Sequence, residues 1–332
     1  MRGSNEMTLR LAVVGLGKMG LLHASILSVM ENVKVVGLCE KSLIIRKVAK
    51  KALKDVEIVD DITKLASLDL DAIFVTTPIP THFSIGKTIF AEKIARNFFI
   101  EKTLAANFSE AEELCELAQY SGGTNMVGYH KRFSVTFGKA RTLLEQKAIG
   151  ETSSFTAYAY SSDFSDMDKK SKISGSRGGV LKDLGSHVVD LALWYFGNIK
   201  VERANLQSII HSRSEDLAKF DVVCDDEVKG SFDVSWCKSE YRMPEFGLTI
   251  LGTQGEIRVN DDEIELKLKD KEPTKWYRHD LNDCVGFLIG APEYYREDEH
   301  FVRSALAGQP VESDFSNASI VDSLLEQVKM KA

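Results

Sequence analysis

The chain has 332 residues, of which 44% are hydrophobic and 27% are charged, so it is long and apolar enough for two globular domains. Its formal net charge of −7 argues against a basic nucleic-acid-binding surface. Its longest apolar runs fall short of the ~20 residues that a membrane span needs. We therefore expect neither nucleic acid nor a membrane as a partner.

The beginning of the chain and its cysteines indicate a cytoplasmic location. The residues up to Met7 lack the apolar core of a secretory signal. The five cysteines are scattered and form no C-x-x-C pair, which argues against a disulfide framework and against a zinc site. We expect a cytoplasmic protein that holds no metal.

Strand and helix patterns alternate up to residue 127, which is typical of a parallel sheet. The predicted strands are Leu9–Val14, Val33–Cys39, Glu57–Val59, Ala72–Val75, Asn97–Ile100 and Asn125–Val127. The predicted helices are Met19–Met30, Leu43–Leu53, Ile62–Leu68, Phe83–Lys93 and Ser109–Gln119. Ser109 and Glu112 predict a capping box at the start of the last of these helices.

After Gly128, strand patterns follow one another closely, which indicates an antiparallel or mixed sheet with helices on one face. The predicted strands are Ser154–Tyr160, Val201–Gln207, Phe220–Val223, Gly230–Trp236, Gly247–Leu251, Glu256–Val259 and Ile264–Leu268. The predicted helices are Val135–Gln146, Leu181–Phe196, Glu297–Ala307 and Asn317–Met330. The other face of this sheet must be covered, often by a second copy of the same sheet.

The first predicted strand ends in a G-x-G-x-x-G motif that opens the first predicted helix. In such a turn the first glycine permits the tight bend, the second lets the backbone approach a pyrophosphate, and the third lets the helix pack against the strand. The helix N-terminus then offers N–H groups to the phosphates. The turn predicts a dinucleotide-binding site, whose candidate residues are Gly15, Gly17, Lys18, Met19 and Gly20.

Glu40 lies twenty residues after Gly20, at the end of the second predicted strand. A carboxylate there can accept hydrogen bonds from the adenosine ribose and repels a 2′-phosphate, which favours NAD over NADP. Lys41 could instead reach toward such a phosphate, but a solvated lysine at a strand end is the favoured interpretation. NAD is the predicted cofactor.

Two further segments follow predicted strands at the edge of the sheet where ligands bind. Thr76, Thr77, Pro78 and His82 form a turn that would run along the cofactor. Glu101 and Lys102 leave the fifth strand toward the same crevice, where a lysine can donate to a substrate oxygen. Taken alone, the first segment also fits a stiffened loop, and the second also fits an exposed ion pair.

Asp183 and His187 are four residues apart in a predicted helix, so we expect them on one face of it. A carboxylate beside an imidazole fixes its tautomer and raises its basicity, and such a pair can accept a hydroxyl proton. A surface contact or a histidine satisfied in the core is the alternative. Gly178 and Gly179 before the helix, and Gly185 within it, favour the functional interpretation because they permit close backbone approach.

These motifs in this order closely resemble the glucose-fructose oxidoreductase, inositol dehydrogenase and rhizopine-catabolism (Gfo/Idh/MocA) family. The matching segments are Gly15–Gly20, Thr76–Pro78 with His82, Glu101–Lys102, Gly128–Phe133, Gly178–Asp190, Glu299–Val302 and Gly308–Val311. The resemblance covers essentially the whole chain. It implies an α/β protein with a Rossmann domain, a doubly wound parallel sheet, over residues 7–127. It also implies a substrate-binding and oligomerisation domain over residues 128–332, with a large, open, mainly antiparallel sheet.

The resemblance also implies an activity and a set of site residues. The family mostly oxidises or reduces a carbinol carbon of sugars, cyclitols or nucleotide sugars with NAD(P). Carried over by motif, Lys102, Asp183 and His187 form the catalytic trio, and a homodimer or homotetramer forms through the C-terminal sheet. The candidate substrate-binding residues are Tyr129, His130, Arg132 and Arg177.

The chain departs from the family pattern at two positions. Thr103 stands where the family usually has proline, so we expect a trans peptide bond after Lys102, since a non-proline cis bond costs about 3 kcal/mol. His130 stands where the family often has asparagine, so it is either part of this protein's own substrate pocket or an incidental histidine at the pocket edge.

Two other functions remain open from the sequence. A glycosidase that uses tightly held NAD for transient oxidation would have the same motifs. A non-catalytic regulator that senses a dinucleotide or a sugar would share the fold, but the intact catalytic trio argues against it. The sequence does not name the substrate or the direction of the reaction.

Overall fold

The computed structural model describes residues 8–162, 178–210, 214–287 and 289–332. The chain divides into two compact units. The first consists of the residues up to Tyr129 together with Val285–Ser319, and the second of His130–Cys284 together with Ile320–Ala332. Residues 285–319 thus belong to the first unit, whereas the sequence assigns them to the second domain.

The first unit contains a six-stranded sheet in the order β3-β2-β1-β4-β5-β6, with every neighbouring pair parallel. Its strands are β1 (Leu9–Val14), β2 (Val33–Cys39), β3 (Glu57–Val59), β4 (Leu70–Val75), β5 (Ala95–Glu101) and β6 (Asn125–Gly128). All six lie where they were predicted, within two residues at each end. The order reverses between β1 and β4, which creates a topological switch point at the carboxyl ends of these two strands.

The helices of the first unit connect these strands or lie near the end of the chain. They are α1 (Lys18–Ser28), α2 (Leu43–Ala52), α3 (His82–Ala91) and α4 (Phe108–Ser121), followed after the second unit by α7 (Pro292–Ala307). The predicted helix Ile62–Leu68 is a 3₁₀ helix. The N-cap of α4 is Asn107, whose side chain accepts from the Glu110 N–H, so the predicted capping box at Ser109 was wrong. Asparagine is as good an N-cap as serine, and it comes two residues earlier.

Aromatic packing explains why α7 belongs to the first unit. Phe301 of α7 is fully buried and meets Phe74 of β4 edge-on, with 5.1 Å between ring centroids, and Phe99 of β5 at 5.7 Å. Phe74 and Phe99 stack on each other at 4.5 Å. Such contacts across a large sequence separation leave no local signal in the sequence pattern.

The second unit contains an eight-stranded sheet in the order β14-β13-β12-β11-β7-β10-β9-β8. The pair β7–β10 is parallel and the other neighbouring pairs are antiparallel. Its strands are β7 (Thr152–Tyr160), β8 (Ile199–Gln207), β9 (Leu217–Cys224), β10 (Lys229–Ser235), β11 (Glu245–Gly252), β12 (Gly255–Asn260), β13 (Glu263–Leu268) and β14 (Thr274–Tyr277). The short edge strand β14 was not predicted.

One face of this sheet is apolar. The register places Phe155, Ile250 and Ile257 opposite one another on three neighbouring strands, and all three side chains are buried. Helix α6 (Ser186–Phe196) packs on this face through Phe196, which stacks on Phe155 at 4.5 Å. Two further α-helices are α5 (Val135–Glu145) and α8 (Phe315–Met330).

The fold class predicted from the sequence is therefore confirmed: a parallel doubly wound sheet is followed by a large, mainly antiparallel sheet. No helix in the described part of the chain combines the length and the apolar composition that a membrane span requires.

Candidate functional site

The glycine-rich turn lies at the switch point of the first sheet, and two of its glycines, Gly15 and Gly20, lie where a side chain would not fit. Gly15 directly follows β1 and has φ +90°, a conformation that L-residues rarely adopt. A Cβ atom on Gly20 would lie 1.8 Å from the Gly15 carbonyl oxygen and 2.7 Å from the Thr76 hydroxyl oxygen. Gly20 therefore lets the first turn of α1 touch both the turn and the strand end.

Gly17 differs from its two neighbours in the motif. It has ordinary extended backbone angles, it is exposed, and a Cβ built on it would meet no protein atom within 4 Å. It is the N-cap of α1 and provides no side-chain cap for the first N–H groups of the helix, which begins at Lys18 and Met19. An open space in front of a helix N-terminus that has no side-chain cap fits a phosphate group.

The Glu40 carboxylate is bound to the glycine-rich turn. The Leu16 N–H donates to its Oε2 at 2.7 Å, and the Ser42 N–H donates to its Oε1 at 2.8 Å. The Arg46 guanidinium donates to the Glu40 carbonyl oxygen at 2.7 Å and to that of Lys41 at 2.6 Å. These bonds fix a half-buried carboxylate at the end of β2, directly beside the turn.

The segment after β4 lies against the glycine-rich turn. The Thr76 hydroxyl donates to the carbonyl oxygens of Val14, at 3.0 Å, and of Gly15, at 2.8 Å. Thr77 is half-buried and Pro78 is exposed, so both remain accessible for a cofactor.

His82 is buried between the Thr77 segment and Thr103. The side chain is fully buried, and its two ring nitrogens each lie 2.8 Å from a backbone carbonyl oxygen, those of Thr77 and Thr103. Burial lowers the pKa of His82, and the two backbone carbonyls partly oppose this effect. This geometry gives His82 the role of tying the Thr77 segment to Thr103; a direct cofactor contact by His82 stays a prediction.

Glu101 and Lys102 leave the carboxyl end of β5. Lys102 is half-buried, whereas Glu101 is buried, and the Lys102 N–H donates to Glu101 Oε2 at 3.1 Å. The peptide bond between Lys102 and Thr103 is cis, so the predicted trans bond was wrong. Thr103 is fully buried and its carbonyl oxygen lies 2.8 Å from His82 Nδ1, so contacts with distant residues outweigh the local preference of the chain.

In the second unit, the predicted helix Leu181–Phe196 begins with a π-helical turn. The π turn covers Leu181–Gly185 and contains Asp183, and His187 lies in the first turn of α6. A π turn is wider than an α turn, so the first part of the predicted helix is not regular α-helix, and the shared face of Asp183 and His187 stays a prediction. Such turns within helices are frequent at functional sites.

His187 is enclosed by two rings within the second unit. The His130 ring lies 4.8 Å away at 76°, and the Phe246 ring lies 5.1 Å away at 75°, both in edge-to-face arrangements. His187 is 4% exposed and Asp183 is half-buried. The structure thus brings His130 and His187 together and holds the His187 ring from two sides.

A buried ion pair anchors the helix that carries His187. Arg132 Nε donates to Asp190 Oδ2 at 2.8 Å and its terminal nitrogen donates to Oδ1 at 2.7 Å, with both side chains almost fully buried. This bidentate pair gives Arg132 a structural role in holding α6. A direct substrate contact by Arg132 stays a prediction.

Tyr129 and Arg177 are the two remaining predicted substrate-binding residues. Tyr129 is fully buried, and its N–H donates to the Val127 carbonyl oxygen at 2.9 Å. Its position gives it a core role, and substrate contact by Tyr129 stays a prediction. Arg177 lies outside the described residues.

Sequence reasoning missed a buried cluster next to Lys102, consisting of His23, Glu101, Glu297 and Asp298, which we call the His23 cluster. His23 Nδ1 lies 2.7 Å from an oxygen of Asp298, a residue 275 positions away in the chain. A lone histidine on an apolar helix matches no motif. The signal that could have drawn attention to the cluster is the pair of adjacent acids Glu297 and Asp298 on a helix that contains the buried Phe301.

The fold and these residues define a class of protein: a Rossmann-type dinucleotide-binding unit joined to a second α/β unit that carries an aspartate and a histidine on one helical segment. The chain belongs to the Gfo/Idh/MocA family. The model of the oxidoreductase family with an NAD-binding Rossmann fold matches residues 9–129, and the model of the Gfo/Idh/MocA C-terminal domain matches residues 137–258.

Individual relatives agree with this assignment. The chain is 25% identical over 191 residues to the uncharacterized oxidoreductase YrbE of Bacillus subtilis (strain 168). This alignment covers 56% of this chain and 53% of that protein. The chain is also 25% identical over 221 residues to the inositol 2-dehydrogenase of Rhizobium meliloti (strain 1021), which covers 65% and 64%. The alignments thus span about half to two thirds of the length of these curated relatives.

A solved structure shows the same fold over nearly the whole chain. Levoglucosan dehydrogenase in complex with NADH and L-sorbose superposes with a TM-score of 0.87 at 18% identity, covering 98% of this chain and 97% of that one.

Gly20 and Gly17 have different roles in the turn, so substitutions at the two positions should have separable effects. Gly20→Ala forces its Cβ against the Gly15 carbonyl oxygen, so we expect the free energy of unfolding to fall by about 1–3 kcal/mol. Gly17→Ala places its methyl group in open space, so we expect unfolding within about 0.5 kcal/mol of wild type but at least a ~10-fold loss of NADH affinity. Denaturant unfolding and NADH fluorescence titration measure the two effects. Normal NADH binding by a folded Gly17→Ala variant would contradict the assignment of the phosphate site.

The buried ion pair predicts a large loss of stability on removal of its cation. Arg132→Met leaves the Asp190 carboxylate buried without its bidentate partner, so we expect the free energy of unfolding to fall by about 3–5 kcal/mol. Arg203→Met is the matched control, because Arg203 pairs with Asp221 at the surface and its loss should change stability little. Urea unfolding of both variants makes the comparison, and equal losses would show that the Arg132 pair does not anchor the unit.

Proposed function

We propose that this protein is an NAD(P)-dependent oxidoreductase that transfers hydride to or from a carbinol carbon of a sugar, a cyclitol or a nucleotide sugar. The observation that carries the proposal is the open space at Gly17, in front of the N-terminus of α1, in a turn whose Leu16 N–H binds the Glu40 carboxylate. The inositol 2-dehydrogenase and levoglucosan dehydrogenase relatives support the substrate class by their names.

The bound dinucleotide supplies the hydride acceptor or donor for this reaction. The residues proposed to hold it are Gly15, Gly17, Lys18, Met19 and Gly20 at the pyrophosphate, together with Glu40, Thr76, Thr77, Pro78, His82, Glu101 and Lys102. Glu40 supports a preference for NAD over NADP, because its carboxylate is fixed beside the turn by two backbone N–H groups and would repel a 2′-phosphate.

Lys102, Asp183 and His187 are proposed to act on the substrate. In the oxidation direction, His187 takes the hydroxyl proton as hydride leaves the carbinol carbon, and Asp183 orients and supports the imidazole. Lys102 donates a hydrogen bond to the reacting oxygen and helps move its proton. In the reduction direction the same groups return the proton to the oxygen.

His130 is the substrate-pocket residue that the geometry supports best, since its ring lies against that of His187. A side chain at this position can contact the substrate atoms next to the reacting carbon. Tyr129, Arg132 and Arg177 complete the proposed set of substrate-binding residues.

The protein is also proposed to be a cytoplasmic homodimer or homotetramer. Its five cysteines are free thiols, which fits a reducing compartment. On β7, Phe155, Ala157 and Ala159 are buried, whereas Tyr158 and Tyr160 on the opposite face are only half-buried. A second copy of this sheet is the proposed cover for that face.

A substrate panel tests the proposal directly. Purified protein is incubated with sugars, inositols and nucleotide sugars, each with NAD and with NADP, while the absorbance of the reduced cofactor is recorded. We expect reduction of NAD with at least one member of the panel. Binding of NAD without turnover of any member, or glycoside cleavage without net NADH formation, would contradict it.

The role of Lys102 predicts a loss of turnover with intact cofactor binding. Lys102→Met removes the donor to the reacting oxygen, so we expect kcat to fall by at least ~100-fold while NADH affinity stays within about twofold of wild type. Lys64→Met, which removes an exposed lysine paired with Asp60, is the control and should retain full activity. A Lys102→Met enzyme with near-normal kcat would refute the assignment.

The role of Glu40 predicts a change of cofactor preference. Glu40→Gln keeps the size of the side chain and removes its charge, so we expect the ratio of kcat/KM for NAD to that for NADP to fall by at least ~10-fold. Glu57→Gln makes the same charge change at the opposite end of the neighbouring strand and should leave the ratio unchanged. A wild-type enzyme that prefers NADP would overturn the role of Glu40 at once.

A further inference from the structure

The Glu101 carboxylate connects Lys102 to the interior of the first unit. Its Oε2 accepts the Lys102 N–H at 3.1 Å, and its Oε1 lies 3.0 Å from His23 Nε2. The other ring nitrogen of His23, Nδ1, lies 2.7 Å and 3.0 Å from the two oxygens of Asp298. A continuous chain of hydrogen bonds therefore runs from Asp298 through His23 and Glu101 to the backbone of Lys102.

His23 is charged in this arrangement. Ionised carboxylates can only accept hydrogen bonds, so an imidazole placed between two of them donates from both nitrogens and carries both protons. Burial lowers the pKa of His23, but the Asp298 and Glu101 carboxylates together outweigh burial and hold that pKa well above its usual value. The imidazolium is thus fixed by two charge-assisted hydrogen bonds, which are stronger than neutral ones.

Packing fixes the ring as well. His23 and Asp298 are fully buried, and the His23 ring lies among the rings of Phe99 at 5.2 Å, Phe74 at 5.8 Å and Tyr294 at 6.0 Å. Neither partner can change rotamer without opening this aromatic core. The position of the Glu101 carboxylate is therefore set by a rigid group.

The His23 cluster is unsuited to a metal ion in this geometry. The ligand atoms of His23, Glu297 and Asp298 lie within 4.8 Å of one another, but both ring nitrogens are committed to carboxylates and present no lone pair to an ion. The Glu297 carboxyl is fully buried, and neither of its oxygens has a hydrogen-bond partner among the described residues. Burial and then the neighbouring Glu101 charge raise the pKa of Glu297 well above its usual value, which favours its neutral form.

We propose that His23 is a positioning residue for Lys102: held by Asp298, it fixes the Glu101 carboxylate and with it the backbone from which the Lys102 side chain projects. This inference rests on the proposed function, since it serves the reaction assigned to Lys102. A small displacement of a group that must meet the reacting oxygen lowers the rate of the chemical step without weakening cofactor binding.

The test compares two isosteric substitutions at neighbouring buried positions of helix α7. Asp298→Asn removes the charge that holds the imidazolium, and we expect kcat to fall by about 10- to 100-fold while KM for NAD stays within about twofold. Glu297→Gln keeps the shape of a buried side chain whose two carboxyl oxygens make no hydrogen bond among the described residues, and it should keep kcat within about twofold. Thermal unfolding of both variants identifies any general loss of structure, which would affect both constants together.

A pH profile separates positioning from mere packing. The titratable groups that face the His23 ring are Glu101 from β5 and Tyr294, Glu297 and Asp298 from α7. Without the Asp298 charge, burial lowers the pKa of His23, so the ring loses its second proton as the pH rises. We expect the kcat deficit of Asp298→Asn to be smaller below about pH 6 than above about pH 8. A deficit that does not change with pH would contradict the role of the charged ring.

Two outcomes distinguish this inference from the proposed function. If Lys102→Met loses activity and a folded Asp298→Asn variant keeps it, the positioning role is wrong and the assignment of Lys102 stands. If Lys102→Met keeps activity, the assignment of Lys102 fails, and the positioning role fails with it. Should Asp298→Asn not fold, nitrogen-15 spectra of the wild-type histidines decide: both His23 nitrogens must remain protonated at neutral pH, and a neutral His23 ring would overturn the inference.

Discussion

The structure of the first unit depends on the close approach of Gly20 to the end of β1 and the start of the loop after β4. With no Cβ at Gly20, the first turn of α1 touches the Gly15 carbonyl and the Thr76 hydroxyl. This contact brings the helix N-terminus to the switch point of the sheet, where Glu40 closes the turn through the Leu16 N–H. A larger residue at position 20 would separate the helix from the strand end and so disrupt the arrangement of the turn around Gly17.

The two units share one way of fixing a reactive side chain. In each unit, a buried charged pair holds the segment that carries a residue proposed to act in catalysis, without being that residue itself. His23 and Asp298 hold the carboxylate next to Lys102, and Arg132 and Asp190 hold the helix that carries His187. Buried pairs of this kind contribute little net stability, but breaking one is costly, so they fix geometry more than they stabilise the fold.

The sequence predicts well those features that depend on neighbouring residues. The six strands of the first sheet, the glycine-rich turn and Glu40 follow from local pattern and spacing. Features determined by distant contacts could not be predicted in this way. The cis bond at Thr103 lies in a buried segment tied to His82, the π turn around Asp183 interrupts an otherwise regular helical pattern, and the partner of His23 comes from a helix near the end of the chain. The short strand β14 lies at the edge of its sheet, where its side chains are mostly exposed. Its sequence therefore lacks the alternation of apolar and polar residues that would predict a strand.

The proposed function requires that the Lys102 amine and the His187 imidazole serve the same transition state. A double-mutant cycle with Lys102→Met and His187→Asn measures this directly, using the best substrate of the panel. If both groups act on one reacting oxygen and carbon, the double variant loses about as much kcat as the more damaging single variant, because the second group has little to act with once the first is gone. Losses that multiply in full would show that the two residues act independently and would contradict the account.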